Sequence, residues 1–246
     1  MTLPPPFTDL ADLDTCLKEE GYAVIGGAAL CEWLPTDLPT LESLSASWDH
    51  LPPDTYLRDG GRYRRRRHSC FIAAGAELSE VPHRAHWQPV EYNALHGGLE
   101  RWFDPIEPAV IEQPVWSVLL QRIATSCSVQ KPEVDRWYVE AHQFRIDTTD
   151  GIGRPTPEGA HRDGVDFVAV LFVGRQGVKG GESRVFEARG PHGIRFTMTQ
   201  PWTLLLLDDE RVIHETTPIQ PVADGGCRDT LVLTFRQGGF QGPASA

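Results

Sequence analysis

His161-Arg162-Asp163-Gly164-Val165-Asp166-Phe167-Val168-Ala169-Val170-Leu171-Phe172-Val173 opens as a polar cluster and runs into an apolar stretch. On an extended chain, side chains at i and i+2 share a face. Read as a strand, the stretch therefore aims the His161 imidazole and the Asp163 carboxylate at one point. These are two of the three donors of a 2-His-1-carboxylate set, which holds non-haem Fe(II) and leaves adjacent coordination positions open. The third donor has to come from a distant segment. The candidate is His214, which ends Asp208-Asp209-Glu210-Arg211-Val212-Ile213-His214 just beyond the apolar run Leu204–Leu207. HxD pairs also arise by chance, and a strand histidine is often a hydrogen-bonded core group.

Outward from this stretch the chain keeps period 2. Trp137–Ile146 before it, and Val165–Val173, Ser183–Ala188, Ile194–Thr199, Pro201–Leu207, Val212–Thr216 and Arg228–Phe235 from it onward, read as strands. Gly190-Pro191-His192-Gly193 supplies a hairpin turn. The N-terminal part differs. A helix is predicted over 8–20, capped by Thr8 and stopped at Gly21, another over about 37–48, and a third through Val115, Val118, Leu119, Arg122 and Ile123. Tyr22–Ile25 is a short strand among them. With neither repeat nor linker, the expected organisation is one domain over 1–246. Residues 1–135 form a helical and irregular support, and 136–240 a β core. The fold class is mostly β with flanking helices, a jelly roll of cupin-like type.

The 246 residues carry a net charge of -11, which argues against a nucleic-acid partner. Met1–Leu10 lacks the basic and apolar regions of a signal peptide, and no apolar run is long enough to span a bilayer. The five cysteines are scattered and form no CxxC pair, so reduced thiols in a cytoplasm are expected. A small-molecule partner is expected, with no membrane; the oligomeric state is not readable.

Four further groups carry chemistry. Arg228 and Thr230 share a strand face and offer a guanidinium fork and a hydroxyl to a carboxylate; the alternative is that Arg228 pairs with Asp229 or Asp224. Gln143 and Arg145 share a face as candidate substrate contacts, with an Arg145 ion pair to Asp147 or Glu140 as the alternative. Asp166 offers a salt bridge to a substrate amino group, or caps a loop. Alternation splits Arg62 and Arg64–Arg67 over two faces, as solvated charges or partners of the surplus carboxylates, with one lining an anionic substrate's route as the other reading.

Several blocks together are similar to one family. They are Pro155-Thr156-Pro157-Glu158-Gly159-Ala160-His161-Arg162-Asp163-Gly164, Gly180-Gly181-Glu182-Ser183, Asp208–His214 with Thr217-Pro218-Ile219, and Arg228-Asp229-Thr230-Leu231-Val232-Leu233-Thr234-Phe235. Tyr92-Asn93-Ala94-Leu95-His96-Gly97-Gly98, Arg101, Phe103 and His142-Gln143-Phe144-Arg145 add to them. Over about 56–236 the chain resembles the Fe(II)/2-oxoglutarate dioxygenases that include bacterial free-amino-acid hydroxylases of the L-isoleucine 4-hydroxylase type. The resemblance implies a double-stranded β-helix, iron on His161, Asp163 and His214, and 2-oxoglutarate on Arg228 with help from Thr230. It implies O2 as co-substrate, ascorbate as a stimulant, and hydroxylation of a C–H, or oxidation of sulfur, in a free L-amino acid or derivative. Two other readings stand beside it: hydroxylation of a protein side chain, and a non-catalytic cupin-like protein that binds metal and a small acid.

Overall fold

The structure, a computed structural model, describes residues 2–243. A 3-10 turn, Leu10–Asp12, leads into α1 (Leu13–Glu20), which buries Leu13 and Leu17 and stops at Gly21. Gly21 is left-handed (φ 78°), and a Cβ there would lie 2.9 Å from Val212, so both conformation and space demand glycine. Thr8 does not cap this helix; its hydroxyl accepts from the Val24 N–H (3.3 Å). β1 (Tyr22–Ile25), α2 (Gly27–Trp33) and α3 (Leu38–Ser45) follow, α3 capped by Asp37 on the Thr40 N–H (2.9 Å). Next come β2 (Arg64–Ala74), β3 (Glu77–Glu80), α4 (Pro108–Ile111) and α5 (Pro114–Gln130). In α5 the predicted stripe holds, with Val115, Leu119 and Ile123 all buried.

The strands of the C-terminal half are β4 (Arg136–Asp147), β5 (Phe167–Gln176), β6 (Val178–Gly180), β7 (Ser183–Glu187), β8 (Gly193–Phe196), β9 (Thr203–Asp208), β10 (Val212–Thr216), β11 (Ile219–Pro221) and β12 (Cys227–Arg236). An antiparallel seven-stranded sheet runs β1-β9-β5-β12-β4-β2-β3. Two small sheets, β10-β7-β8 and β11-β6, complete the jelly roll.

The main sheet is covered on both faces, which explains why β9 is apolar at every inner position rather than alternating. On one face Leu204, Leu206, Leu171, Leu231 and Val139 pack with Leu17, Leu41, Leu44 and Leu119 of the helices. On the other, Val168, Phe172, Leu205 and Leu207 meet Val185, Phe196 and Val212 from the small sheets. The N-terminal part is more than a support: β1 forms one edge of the main sheet, and the basic run Arg64–Arg67 opens β2, which pairs with β4 from Arg64↔Ile146 to Ala74↔Arg136. Among the described residues no helix is long and apolar enough to cross a membrane.

Candidate active site

His161 and Asp163 do not lie on a regular strand. His161 forms an isolated antiparallel bridge with His214 of β10, the two exchanging N–H···O bonds of 3.0 and 2.9 Å. The chain then turns at Gly164 (φ 74°), where a Cβ would fall 2.4 Å from the Tyr92 ring. Asp209, in the β9–β10 turn and fully buried, holds this turn: its carboxylate accepts from the N–H groups of Asp163 (3.0 Å), Gly164 (2.8 Å) and Val165 (3.1 Å). The convergence expected from strand spacing is thus achieved by a cross-chain bridge and a clamped turn.

His161 Nε2 lies 3.8 Å from Asp163 Oδ1, and His214 Nε2 3.7 Å from Asp163 Oδ2. One donor atom from each of the three lies within 4.8 Å of the others. His161 Nδ1 donates to the Gly159 carbonyl (2.9 Å), which leaves Nε2 with its lone pair toward the shared centre, as a metal ligand requires. Burial lowers the proton affinity of His161, but Asp163 and Glu158 outweigh it and the net shift is upward. Burial, reinforced by His161, holds His214 well below the usual imidazole range. Burial and the neighbouring Asp163 push Asp209 up to about 7. The donor set fits a divalent cation with open coordination positions.

The Asp209 clamp leads to a prediction. Asp209→Ala leaves three N–H donors of the ligand turn without their acceptor, and the loss is expected to be about 3 kcal/mol or more. Urea unfolding would measure it, and Asp209→Asn, which keeps one acceptor oxygen, should lose less.

Beside the three donors the cavity is lined by Arg228 and Thr230 of β12, both buried. Neither Asp229 nor Asp224 pairs with Arg228. Asp229 is taken on the opposite face by Arg145 (2.8 and 2.7 Å). Arg228 Nη2 is buried without a partner, the guanidinium carbon lies 5.4 Å from the Phe172 ring centre, and burial and then Arg175 lower its pKa to about 10. An unsatisfied guanidinium beside three metal donors fits a carboxylate-bearing chelator.

Gln143, Arg145 and Asp166 do not line this cavity. Along β4 the cavity face is His142, Phe144 and Ile146. Gln143 points to the helices and donates to Ser47 Oγ (2.8 Å), and Arg145 also binds Asp49 (2.8 Å), not Asp147 or Glu140. Asp166 accepts from Lys131 (2.5 Å) and from the backbone (2.9 Å) and side chain (3.0 Å) of Gln237, a loop-fastening role. Arg64 and Arg66, at 6% and 3% exposure, do face the cavity, while Arg65 and Arg67 point away. Gln88, Asn93, Arg101 and Glu158 add to its polar lining.

His68, His86, Glu140 and His142 form a second buried group with metal-ligand chemistry. Glu140 Oε2 lies 2.9 Å from His68 Nε2 and 2.6 Å from His86 Nδ1. His142 Nδ1 lies 2.7 Å from Arg66 Nη2 and must accept, so its proton sits on Nε2, the atom a metal would need. The group is therefore a carboxylate held by imidazole N–H donors. Burial tends to raise Glu140, yet His86 and His68 hold it well below the usual range. Burial lowers all three histidines, His86 to about 3. Between the unfolded value near 6.5 and these lowered values only the unfolded chain binds the protons, so stability is retained above about pH 6.5 and is lost as pH falls. Each histidine costs about 1.4 kcal/mol per pH unit in that window. Urea midpoints should be flat from pH 8 to 7 and fall from pH 6.5 to 5; a flat profile throughout would refute the neutral assignment.

Known proteins place this geometry in context. The family model for 2OG-Fe dioxygenase matches residues 45–234. The crystal structure of a bsmA homolog from Methylobium petroleophilum is 52% identical, with a TM-score of 0.93 over 98% of both chains. The crystal structure of IDO from Bacillus thuringiensis is 15% identical, with a TM-score of 0.76 over 95% of this chain and 100% of that one. The Fe(II)/(alpha)ketoglutarate-dependent dioxygenase TqaL is 17% identical, with a TM-score of 0.71 over 95% and 90%. The last two likenesses are of fold. No curated protein sequence matches significantly.

Proposed function

The chain belongs to the 2OG-Fe dioxygenase family, and from that premise we propose that it oxidises a free L-amino acid or a close derivative, as do the L-isoleucine 4-hydroxylase-type enzymes its motifs resemble. It is a 2-oxoglutarate-dependent dioxygenase that uses Fe(II) and O2. In this reading His161, Asp163 and His214 hold the iron, and Arg228 with Thr230 seats the far carboxylate of 2-oxoglutarate. The observation that carries the assignment is the buried, unpartnered Arg228 Nη2 in the same cavity as the three donors.

Iron and 2-oxoglutarate, when bound, supply the oxidative decarboxylation to succinate and CO2 and the oxidant for a substrate C–H or sulfur. The chain supplies position. The Gly159 carbonyl fixes the His161 tautomer, Asp209 fixes the turn that carries Asp163, and Gln88 Nε2 donates to Asp163 Oδ1 (3.1 Å), restraining the carboxylate. The wall formed by Phe144, Ile146, Val170 and Val232 limits water around the reacting atoms.

The test is aerobic incubation with Fe(II), ascorbate and 2-oxoglutarate across the common L-amino acids and their derivatives. At least one is expected to raise succinate formation and to gain the mass of one oxygen. Succinate that never exceeds the substrate-free rate would sink the amino-acid assignment.

A further inference from the structure

Besides Arg228, three guanidiniums line the cavity, and two of them have partners. Arg64 binds Asp54 at 2.7 Å. Arg66 lies 3.9 Å from the same carboxylate, reaches His142, and sits 3.8 Å from the ring centre of Phe103 and 4.5 Å from that of Phe144. Arg101 is different. It is 2% exposed, its Nε is buried with no partner, and its one side-chain hydrogen bond is from Nη2 to Gln88 Oε1 (3.0 Å). It makes no ion pair among the described residues. A cation buried without an anion is unfavourable, and structural arginines in that position pair.

Arg101 is nevertheless held firmly. Its backbone exchanges hydrogen bonds with His86 (2.9 and 3.0 Å), and Asn93 Nδ2 fixes Gln88 Oε1 (3.0 Å). The same Gln88 amide donates to Asp163. One amide thus separates the free guanidinium from the carboxylate at the metal site. The complementary charge is Glu158, in the loop before His161. Its Oε2 is buried without a partner, and Oε1 lies 3.4 Å from His161 Nε2. A free guanidinium and a free carboxylate oxygen, both lining the cavity and each next to a different metal donor, are the two ends of a receptor for a zwitterion.

We propose that Arg101 receives the substrate's carboxylate and Glu158 its ammonium group, so that the cavity selects a compact α-amino acid. This rests on the free-amino-acid reading of the proposed function but is tested by binding alone. With the carboxylate one amide away from Asp163, the oxidised carbon lies only a few bonds from the carboxyl group.

The experiment uses the iron-loaded protein with 2-oxoglutarate, kept anaerobic, and titrates it calorimetrically with each common L-amino acid. The best binder is then compared with its carboxamide and its des-amino acid. At least one amino acid is expected to bind, and both analogues to bind about ten-fold more weakly or worse, because each leaves one buried charge unanswered. Arg101→Met should lose the preference for acid over amide, and its melting temperature should not fall below the wild type, since an unpaired buried cation has been removed. A merely structural arginine would lower it. If no amino acid binds, or the amide binds as tightly as the acid, the assignment of Arg101 is overturned; an equal des-amino acid overturns that of Glu158. Should Arg101→Met fail to fold, the arginine is structural and its assignment falls, while the wild-type ligand series still tests Glu158 without any variant. Failure of the free-amino-acid reading itself is seen separately, as succinate formation under air that no amino acid raises.

Discussion

Asp163→Ala is expected to abolish iron retention and to reduce turnover by at least about 10³-fold, a loss of about 4 kcal/mol of transition-state stabilisation. Only three donors converge here among the described residues, and Asp163 is the single anionic one. Removing it leaves two imidazoles, both on the amide-bonded bridge and both neutral when ligating, to hold a divalent cation. Loss of outer partners alone lowers metal affinity about 10–100-fold, and loss of a ligand exceeds that. The turn itself should survive, because Asp209 binds the backbone of residues 163–165 and not the Asp163 side chain. Metal content after desalting, with circular dichroism as the fold control, decides the matter. Wild-type iron content in the variant would remove Asp163 from the ligand set.

Arg228→Leu is expected to raise the KM for 2-oxoglutarate by about 10²–10³-fold while iron remains bound. The guanidinium is 3% exposed, and its Nη2 has no protein partner. A carboxylate placed there gains a desolvated, fork-shaped contact, and removing one member of such a pair costs about 3–5 kcal/mol. Arg228→Lys should recover only part, since an ammonium cannot form the fork. Initial rates against 2-oxoglutarate concentration measure both variants. An unchanged KM would mean that the co-substrate's far carboxylate sits elsewhere.

The apolar runs make the sheet legible. Val212–Thr216 is the strand expected, and β4, β5, β9 and β12 fall within a few residues of their predicted bounds. His161, Asp163 and His214 are legible as a set because the chemistry of a facial triad restricts residue type and spacing. The substrate side is not. Arg64, Arg66 and Arg101 are charged, and composition reads charged residues as solvated; only pairing β2 against β4 puts the first two indoors. Gln143 and Arg145 miss the cavity by one residue of parity. A signal for this is present: Trp137, Val139 and Ala141 share their parity and are all buried in the helix-side core, so the cavity face has to be His142 and Phe144. Register errors of one residue exchange the two faces of a strand completely.

The reciprocal peptide bonds between His161 and His214 have a further effect. Two ligands far apart in sequence ride on one pair of joined amides, so the spacing of their Cα atoms is a property of main-chain geometry. The carboxylate has a separate suspension, a turn hanging from one buried aspartate. A change in the spacing of the carboxylate from the two imidazoles would therefore draw on movement of that turn, which Asp209 restrains through three N–H groups.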